Sequence, residues 1–422
     1  MDFSRRQLIA LGGGIAAAAS LAACGTNTGR SPDASATGAK VALTQWFHEY
    51  GEKGVQDALK RYFAAYSAAT ATVTWKPGEF EKAVAAALLT SNVPDAFEYA
   101  NGPTLDMIKA GQVVDVTDVL GDAKAEYEQR VIKRLTYKDK IWAIPQTIDM
   151  QLLYYRKSLL QKANVQPPTT FDALIDAAKK VKTNDVGGFY AGKDGGLGVL
   201  GNILIWASGN TQLNEAKTEA GFNSDTFFEA ATKYAEFYKS GAVLASASAD
   251  WYDGAAFVNG ETAMQWGGLW SLPDIKKAHG DDFGVLPFPT IGATGKPVVP
   301  FGAFSACVAA KGPQVDATKA FVKWLWVDQE DDQVDFANSY GTHIPAKTKL
   351  VAKADKLASG AGAEAAKYVA ENGETTDIMW TDPIGQAFSA ALENVVKKGA
   401  NAKSEFAPVV TKVAAELKRV NG

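Results

Sequence analysis

Carboxylates beside aromatic rings are where this chain first offers chemistry: Glu49, Asp95, Glu98, Asp149, Asp253 and Asp382 each stand close in sequence to Trp, Tyr or Phe. Two such carboxylates about 5 Å or about 6.5 to 9.5 Å apart would hydrolyse a glycosidic bond. The same inventory recognises a sugar without cleaving it, because Trp and Tyr cover the apolar C–H face of the ring while Asp, Glu and Asn hold its hydroxyls. With 10 Trp, 14 Tyr and 20 Phe the chain is rich enough in rings for such a cleft, and Trp46, Tyr99, Trp206, Trp251, Trp266, Trp270 and Trp380 are the candidates. The alternative for each is a place in the core.

Other chemistries lack their residues. His48, His279 and His343 lie far apart, with no HExxH and no Cys/His cluster, so no metal is expected. No GxSxG elbow, Walker A loop or EF-hand loop occurs. Gly196-Leu197-Gly198-Val199-Leu200-Gly201 matches GxGxxG, with Glu219 downstream, but what precedes it is polar and Gly-rich rather than a buried strand. Asn202 to Trp206 reads better as a helix lining a cleft, so no nucleotide and no other cofactor is expected, and the chain is read as a binder rather than an enzyme. Of two cysteines, Cys307 sits in the apolar run Ala303-Phe304-Ser305-Ala306-Cys307-Val308 and reads as a small core residue.

Strand-like and helix-like runs alternate, the pattern of an α/β fold. Val41 to Phe47 and Ala71 to Trp75 read as strands around a helix in which Val55, Ala58, Leu59, Tyr62, Phe63 and Tyr66 recur at helical spacing. Further helices are predicted at Glu81 to Leu89, Thr104 to Ala110, Asp225 to Lys239, Asp316 to Trp326, Ala361 to Val369 and Ile384 to Lys397. Another follows a capping box of Thr169 and Asp172. The formal charge of −4, with both signs interspersed, argues against nucleic acid as a partner.

The first residues are an export address. Ser4-Arg5-Arg6-Gln7-Leu8-Ile9 has the twin-arginine pattern, although the two arginines would also serve an ordinary secretory signal; a Gly/Ala-diluted apolar run then leads to the lipobox Leu21-Ala22-Ala23-Cys24. Residues 1–23 are thus expected to be cleaved, leaving Cys24 as the lipid-bearing N-terminus and Cys307 without a disulfide partner. Residues 24–39 are Gly, Thr, Asn, Ser, Pro and Ala with hardly an apolar anchor, a tether of roughly 20 Å mean reach. The body is expected on the outer face of a bacterial cell membrane, held there by lipid alone because no later run is long enough to span.

Phe257-Val258-Asn259-Gly260-Glu261-Thr262-Ala263-Met264, then Gly268-Leu269-Trp270, then Phe283-Gly284-Val285-Leu286-Pro287, resembles the FxxGxxAM…GxW…lP signature of the maltose-binding-protein family, the extracellular sugar receptors of ABC importers. Pro94-Asp95 with Gly111, Ile144-Pro145 to Tyr154-Tyr155-Arg156-Lys157, Pro167-Pro168-Thr169-Thr170-Phe171 and Ala317 to Leu325 follow in the family's order. The chain departs from the maltose receptor where Tyr155-Arg156 replaces Tyr-Asn and where Phe47-His48-Glu49-Tyr50 replaces an Asp-Lys loop.

The resemblance implies a bilobal, type II periplasmic-binding-protein-like fold. Its N-terminal lobe would comprise 40–146 plus 302–343, its C-terminal lobe 147–301 plus 344–422, with crossovers near Thr147 to Leu152, Phe301 to Phe304 and His343 to Pro345. Position in the family pattern implies that Trp270, after Gly268, stacks on a sugar ring, that Tyr99 is a second cleft aromatic and that Asp149 holds hydroxyls. Glu49 falls near the polar ligand loop, and Asn101 and Trp206 near cleft positions. Trp46, His48, Trp251, Trp266, Gly268, Phe301 and Trp380 complete the candidate set of ligand-binding residues. A monomer that closes on a mono- or oligosaccharide or sugar derivative and hands it to a membrane permease is the implied function. The rivals are the same fold binding a glycerophosphodiester or polyamine, and a secreted glycoside hydrolase.

Overall fold

The computed structural model describes residues 40–421, so the expected leader, the expected lipid-attachment residue Cys24 and the whole of the expected tether lie outside the described residues. The main strands are β1 (Val41–His48), β2 (Ala69–Lys76), β3 (Ala96–Ala100), β4 (Ile144–Arg156), β5 (Met264–Gly268), β6 (Phe283–Leu286), β7 (Val299–Val308), β8 (Ile344–Pro345) and β9 (Gly373–Glu374). They join in the order β8-β4-β7-β3-β1-β2, with β5 and β6 on β4 and β9 on β7. β1 is parallel to β2 and β3, as a βαβ unit requires, whereas β7 is antiparallel to β3 and β4.

Strand β4 divides the molecule. Its first half, Ile144 to Met150, pairs with β7, and its second half, Gln151 to Arg156, pairs with β5 and β6. The change of pairing partner after Met150 gives the bilobal α/β architecture a strand that both halves share, with Asp149 facing Gly302 of β7 just before it.

The helices are α1 (Val55–Ala65), α2 (Phe80–Ala87), α3 (Leu105–Lys109), α4 (Gln129–Leu135), α5 (Phe171–Val181), α6 (Leu197–Ala207), α7 (Asp225–Lys239), α8 (Val315–Lys323), α9 (Gly360–Asn372), α10 (Asp382–Lys398) and α11 (Ala402–Asn421). On α1 the buried residues are Val55, Ala58, Leu59, Tyr62 and Phe63, one face of a 3.6-residue period. Its start at Gly54 requires glycine, because φ is 100° and a Cβ there would come 2.8 Å from the Tyr340 ring. In the second lobe α7, α10 and α11 meet through an aromatic cluster, with ring centroids 4.8 Å apart for Phe227–Phe406 and 5.0 Å for Phe388–Phe406.

Two local expectations need correcting. The cap of α5 is Thr170, whose Oγ1 accepts from the Ala173 N–H at 3.2 Å, while the Thr169 carbonyl accepts from the Thr290 amide instead. The helix predicted over Asp316 to Trp326 is α-helical only to Lys323, after which Trp324–Asp328 winds as a π-helical turn. Among the described residues no helix is long and apolar enough to cross a membrane.

Candidate functional site

The parallel strands β1 and β3 end beside each other, and their last residues build a buried polar cluster. Glu98 of β3 is wholly buried. Its Oε1 accepts the His48 backbone N–H at 2.7 Å and lies 2.5 Å from His48 Nδ1, and its Oε2 accepts the Tyr50 hydroxyl at 2.8 Å. Three polar contacts are what keep a carboxylate tolerable there. The His48 ring stacks on Phe304 of β7, centroids 4.6 Å apart and planes 21° apart, and lies 4.0 Å from the Tyr50 ring.

Phe304 is opposite Thr147 on β4, which brings Asp149 to the same place. Asp149 Oδ1 is hydrogen-bonded to His343 Nδ1, and His343 Nε2 lies 3.0 Å from Glu52 Oε1. Two imidazoles therefore sit among three carboxylates where the chain passes between lobes. Burial would by itself lower the His343 pKa, but Asp149 and Glu52 outweigh it and hold the imidazole at about 10, protonated at neutral pH. His48 is raised in the same way: burial opposes, and the Glu98 carboxylate, with Asp149 and Glu52 beyond it, prevails. Burial tends to raise Glu52, yet its bond to His343 leaves it below the ordinary carboxylate value. Burial first, and Glu98 next, push the Tyr50 hydroxyl well up, so it stays a proton donor. The array can hold hydroxyls by charge-assisted hydrogen bonds; among the described residues no group of three or more His, Cys, Asp or Glu has the geometry to hold a metal.

Rings gather at the end of β5, whose last residue Gly268 pairs with Gln151, two positions beyond Asp149 on β4. In open α/β sheets ligands bind outside the carboxyl ends of strands, and β1, β3 and β5 all end around Asp149. Trp270 folds back over Gly268, where a Cβ would meet its ring carbons at 2.2 Å, so glycine lets the indole lie on the strand. The Trp270 Nε1–H donates to the Tyr252 carbonyl at 2.8 Å, and the Trp251 ring stands 6.2 Å from that of Trp270, inclined by 62°. Both indoles are half-buried.

The other candidates distribute around this centre. Tyr99 is half-buried, and burial, with Glu81 and Asp382 nearby, raises its hydroxyl. Asn101, at φ 60°, turns its side chain against Gly302. Trp46 shares the His48 face of β1 by strand alternation and carries the Lys76 ammonium 3.8 Å from its ring centroid. Trp380 packs its ring on Phe222 and Phe388.

Three candidates lie in the packed interior. Trp266 is wholly buried with its Nε1–H on Gln151, Trp206 is buried in α6, and Phe301 lies under the Arg130 guanidinium. Glu49 is exposed and makes no side-chain hydrogen bond; the carboxylate of that loop that reaches the cluster is Glu52. The sequence does not single out Tyr50, Glu52, Phe304 and His343 as site residues, and it marks Glu98 only as one of six carboxylates beside aromatic rings. The available signal was the run His48-Glu49-Tyr50-Gly51-Glu52 just past a strand, too dense in polar groups for an ordinary turn.

The glycine-rich decoy has a structural role. α6 begins at Leu197, and the amides of its N-cap Gly196 and of Gly198 in its first turn donate to the Asp194 carboxylate at 2.8 and 2.7 Å, where a nucleotide phosphate would have to sit. Cys307 is wholly buried, and burial pushes its thiol far up, away from nucleophilic use.

Against known proteins, the profile described as bacterial extracellular solute-binding protein matches residues 51–329. The diacetylchitobiose-binding protein DasA of Streptomyces coelicolor is 27% identical over 397 residues, covering 89% of both chains. The sn-glycerol-3-phosphate-binding periplasmic protein UgpB of Escherichia coli is 26% identical over 270 residues, 60% of this chain and 61% of its own. Among solved structures, the GacH receptor of Streptomyces glaucescens, studied unliganded and with acarbose, superimposes with a TM-score of 0.75 at 21% identity, over 90% of this chain and 99% of that one.

Proposed function

We propose, since this chain belongs to the family of bacterial extracellular solute-binding proteins, that it captures a saccharide between its lobes and delivers it, chemically unchanged, to the permease of an ABC importer. The observation that carries the proposal is the meeting of two unlike surfaces at one place. The Tyr50–Glu98–His48 array and the Glu52–His343–Asp149 array, in which Asp149 of β4 meets Glu52 and His343, lie beside the Trp251–Trp270 pair where β1, β3 and β5 end. Sugar rings need both, hydrogen-bonding groups at the edge and an aromatic face beneath. That relatives of this chain bind diacetylchitobiose and acarbose supports the same reading.

Hinge closure follows from the connectivity. The lobes would be 40–146 plus 302–343 and 147–301 plus 344–422, joined through β4, β7 and the segment at His343. A ligand touching both lobes stabilises the closed form relative to the open one by its differential contacts. Export, acylation at Cys24 and monomeric action at the outer membrane face belong to the same proposal.

A second reading, an anionic solute such as a glycerophosphodiester, draws on the likeness to UgpB and on one observation. The Nε and Nη1 groups of Arg134 are buried without an acceptor, facing Asn101, Gly302 and Thr375. That void is too narrow for a water molecule, so an anion would have to part the residues around it. A thermal-shift screen of mono- and oligosaccharides, amino sugars and glycerophosphodiesters separates the readings. A ligand at 100 times its dissociation constant adds about 2.7 kcal/mol. A saccharide-selective rise of several degrees is expected; a rise with phosphodiesters alone would replace the sugar by the anion.

A further inference from the structure

The Trp251–Trp270 pair does not end the aromatic surface. Among the described residues only three large apolar side chains are exposed, Val41 at 37%, Leu89 at 73% and Tyr252 at 60%. Val41 opens the first strand and Leu89 follows the last turn of α2, but Tyr252 adjoins the candidate site. Its ring centroid lies 6.1 Å from that of Trp251 at 83°, so Tyr252, Trp251 and Trp270 are linked through one central indole.

The backbone under Tyr252 is braced on every side. Buried Gln265 donates to the Asp253 carbonyl at 3.1 Å and the Trp251 carbonyl at 3.4 Å. Asp250 accepts the Trp251 N–H at 2.7 Å and the Lys193 N–H at 3.2 Å, and the Ala249 carbonyl takes the Tyr190 hydroxyl at 2.5 Å. The Tyr252 carbonyl itself receives the Trp270 indole N–H. With its backbone already held, this exposed ring can be stacked upon without first ordering a loop, so binding there is not offset by that cost.

We propose that Tyr252 is an outer subsite, stacking on a sugar unit beyond those held at Trp251 and Trp270, and that the cargo is therefore an oligosaccharide rather than a monosaccharide. This rests on the saccharide reading above and makes Tyr252 a residue that sets ligand length. Its carbonyl positions Trp270 whatever the side chain is, so substituting the ring leaves the inner platform in place.

The test is calorimetric titration of the purified full chain with ladders of malto-, manno- and N-acetylchito-oligosaccharides, from one unit to four. For the wild type, affinity should climb with length. Tyr252→Ala should lose about tenfold on the longest ligands and nothing on the shortest, whereas Tyr252→Phe, which keeps the ring, should match the wild type. An equal loss at every length, or none at any, overturns the outer subsite while leaving the saccharide reading intact. Failure of the wild type to bind any ladder overturns that reading and this one together.

Discussion

His343 is the residue on which the polar half of the site turns. Its imidazole separates Asp149 from Glu52 and touches both, so His343→Asn would leave two carboxylates facing each other without the cation between them. Breaking a buried pair in this way costs about 3 kcal/mol, which urea denaturation at pH 7 would measure. The sign of the pH dependence follows from the raised pKa. A group that binds its proton more tightly when folded contributes fully below its unfolded pKa, about 6.5. The contribution then falls away as pH rises toward its folded value of about 10. The stability difference between wild type and variant should therefore shrink steadily from pH 7 to pH 10; a gap that widens over that range would mean His343 is neutral in the fold. None of this was legible locally, because 291 positions separate His343 from Glu52 and 194 separate it from Asp149. Residue type and neighbours single out Trp251, Trp270, His48 and Asp149 as candidates, and of the loop carboxylates Glu49 is exposed while Glu52 reaches His343. Only the turn past β1 decides which carboxylate points inward.

At the scale of elements, periodic burial wrote itself into the sequence and its absence hid what was missed. α1 and α7 announce themselves because one face of each is apolar and the other charged. β4 alternates only over Ile148 to Leu152; Ile144 to Ile148 are buried on both faces, and a stretch covered on two sides has no solvent-facing set to mark its period. α11 is not among the helices predicted from sequence, and its run carries Pro408, an interior residue that disfavours a helix locally. Its burial of Phe406, Val409, Val413, Leu417 and Val420 against α7 and α10 outweighs that local cost. The start of α5 was placed one residue early because Thr169 and Thr170 are chemically alike; only pairing of the Thr169 carbonyl with Thr290 selects Thr170 as the cap. Thr170→Ala should thus cost about 1 kcal/mol in chemical denaturation, and Thr169→Ala should cost clearly less. Equal losses would refute the assignment.

For the molecule as a whole, the order of motifs along the chain carried the fold, while the cargo lies in how distant residues meet. The bilobal architecture was legible because the FxxGxxAM…GxW…lP run and its companions occur in sequence, and each marks an element with a fixed place on the sheet. Two lobes sharing β4 and β7 would have few connections to bend, so under the proposed function differential contact with a ligand would move one lobe on the other. What most directly tests this account is a calorimetric titration of the purified protein with the saccharide that stabilises it best, followed by mass analysis of the ligand recovered. The account predicts one saccharide per chain, released at unchanged mass, with binding lost in a folded Trp270→Ala variant. A ligand recovered in fragments, or unchanged affinity in Trp270→Ala, would contradict it.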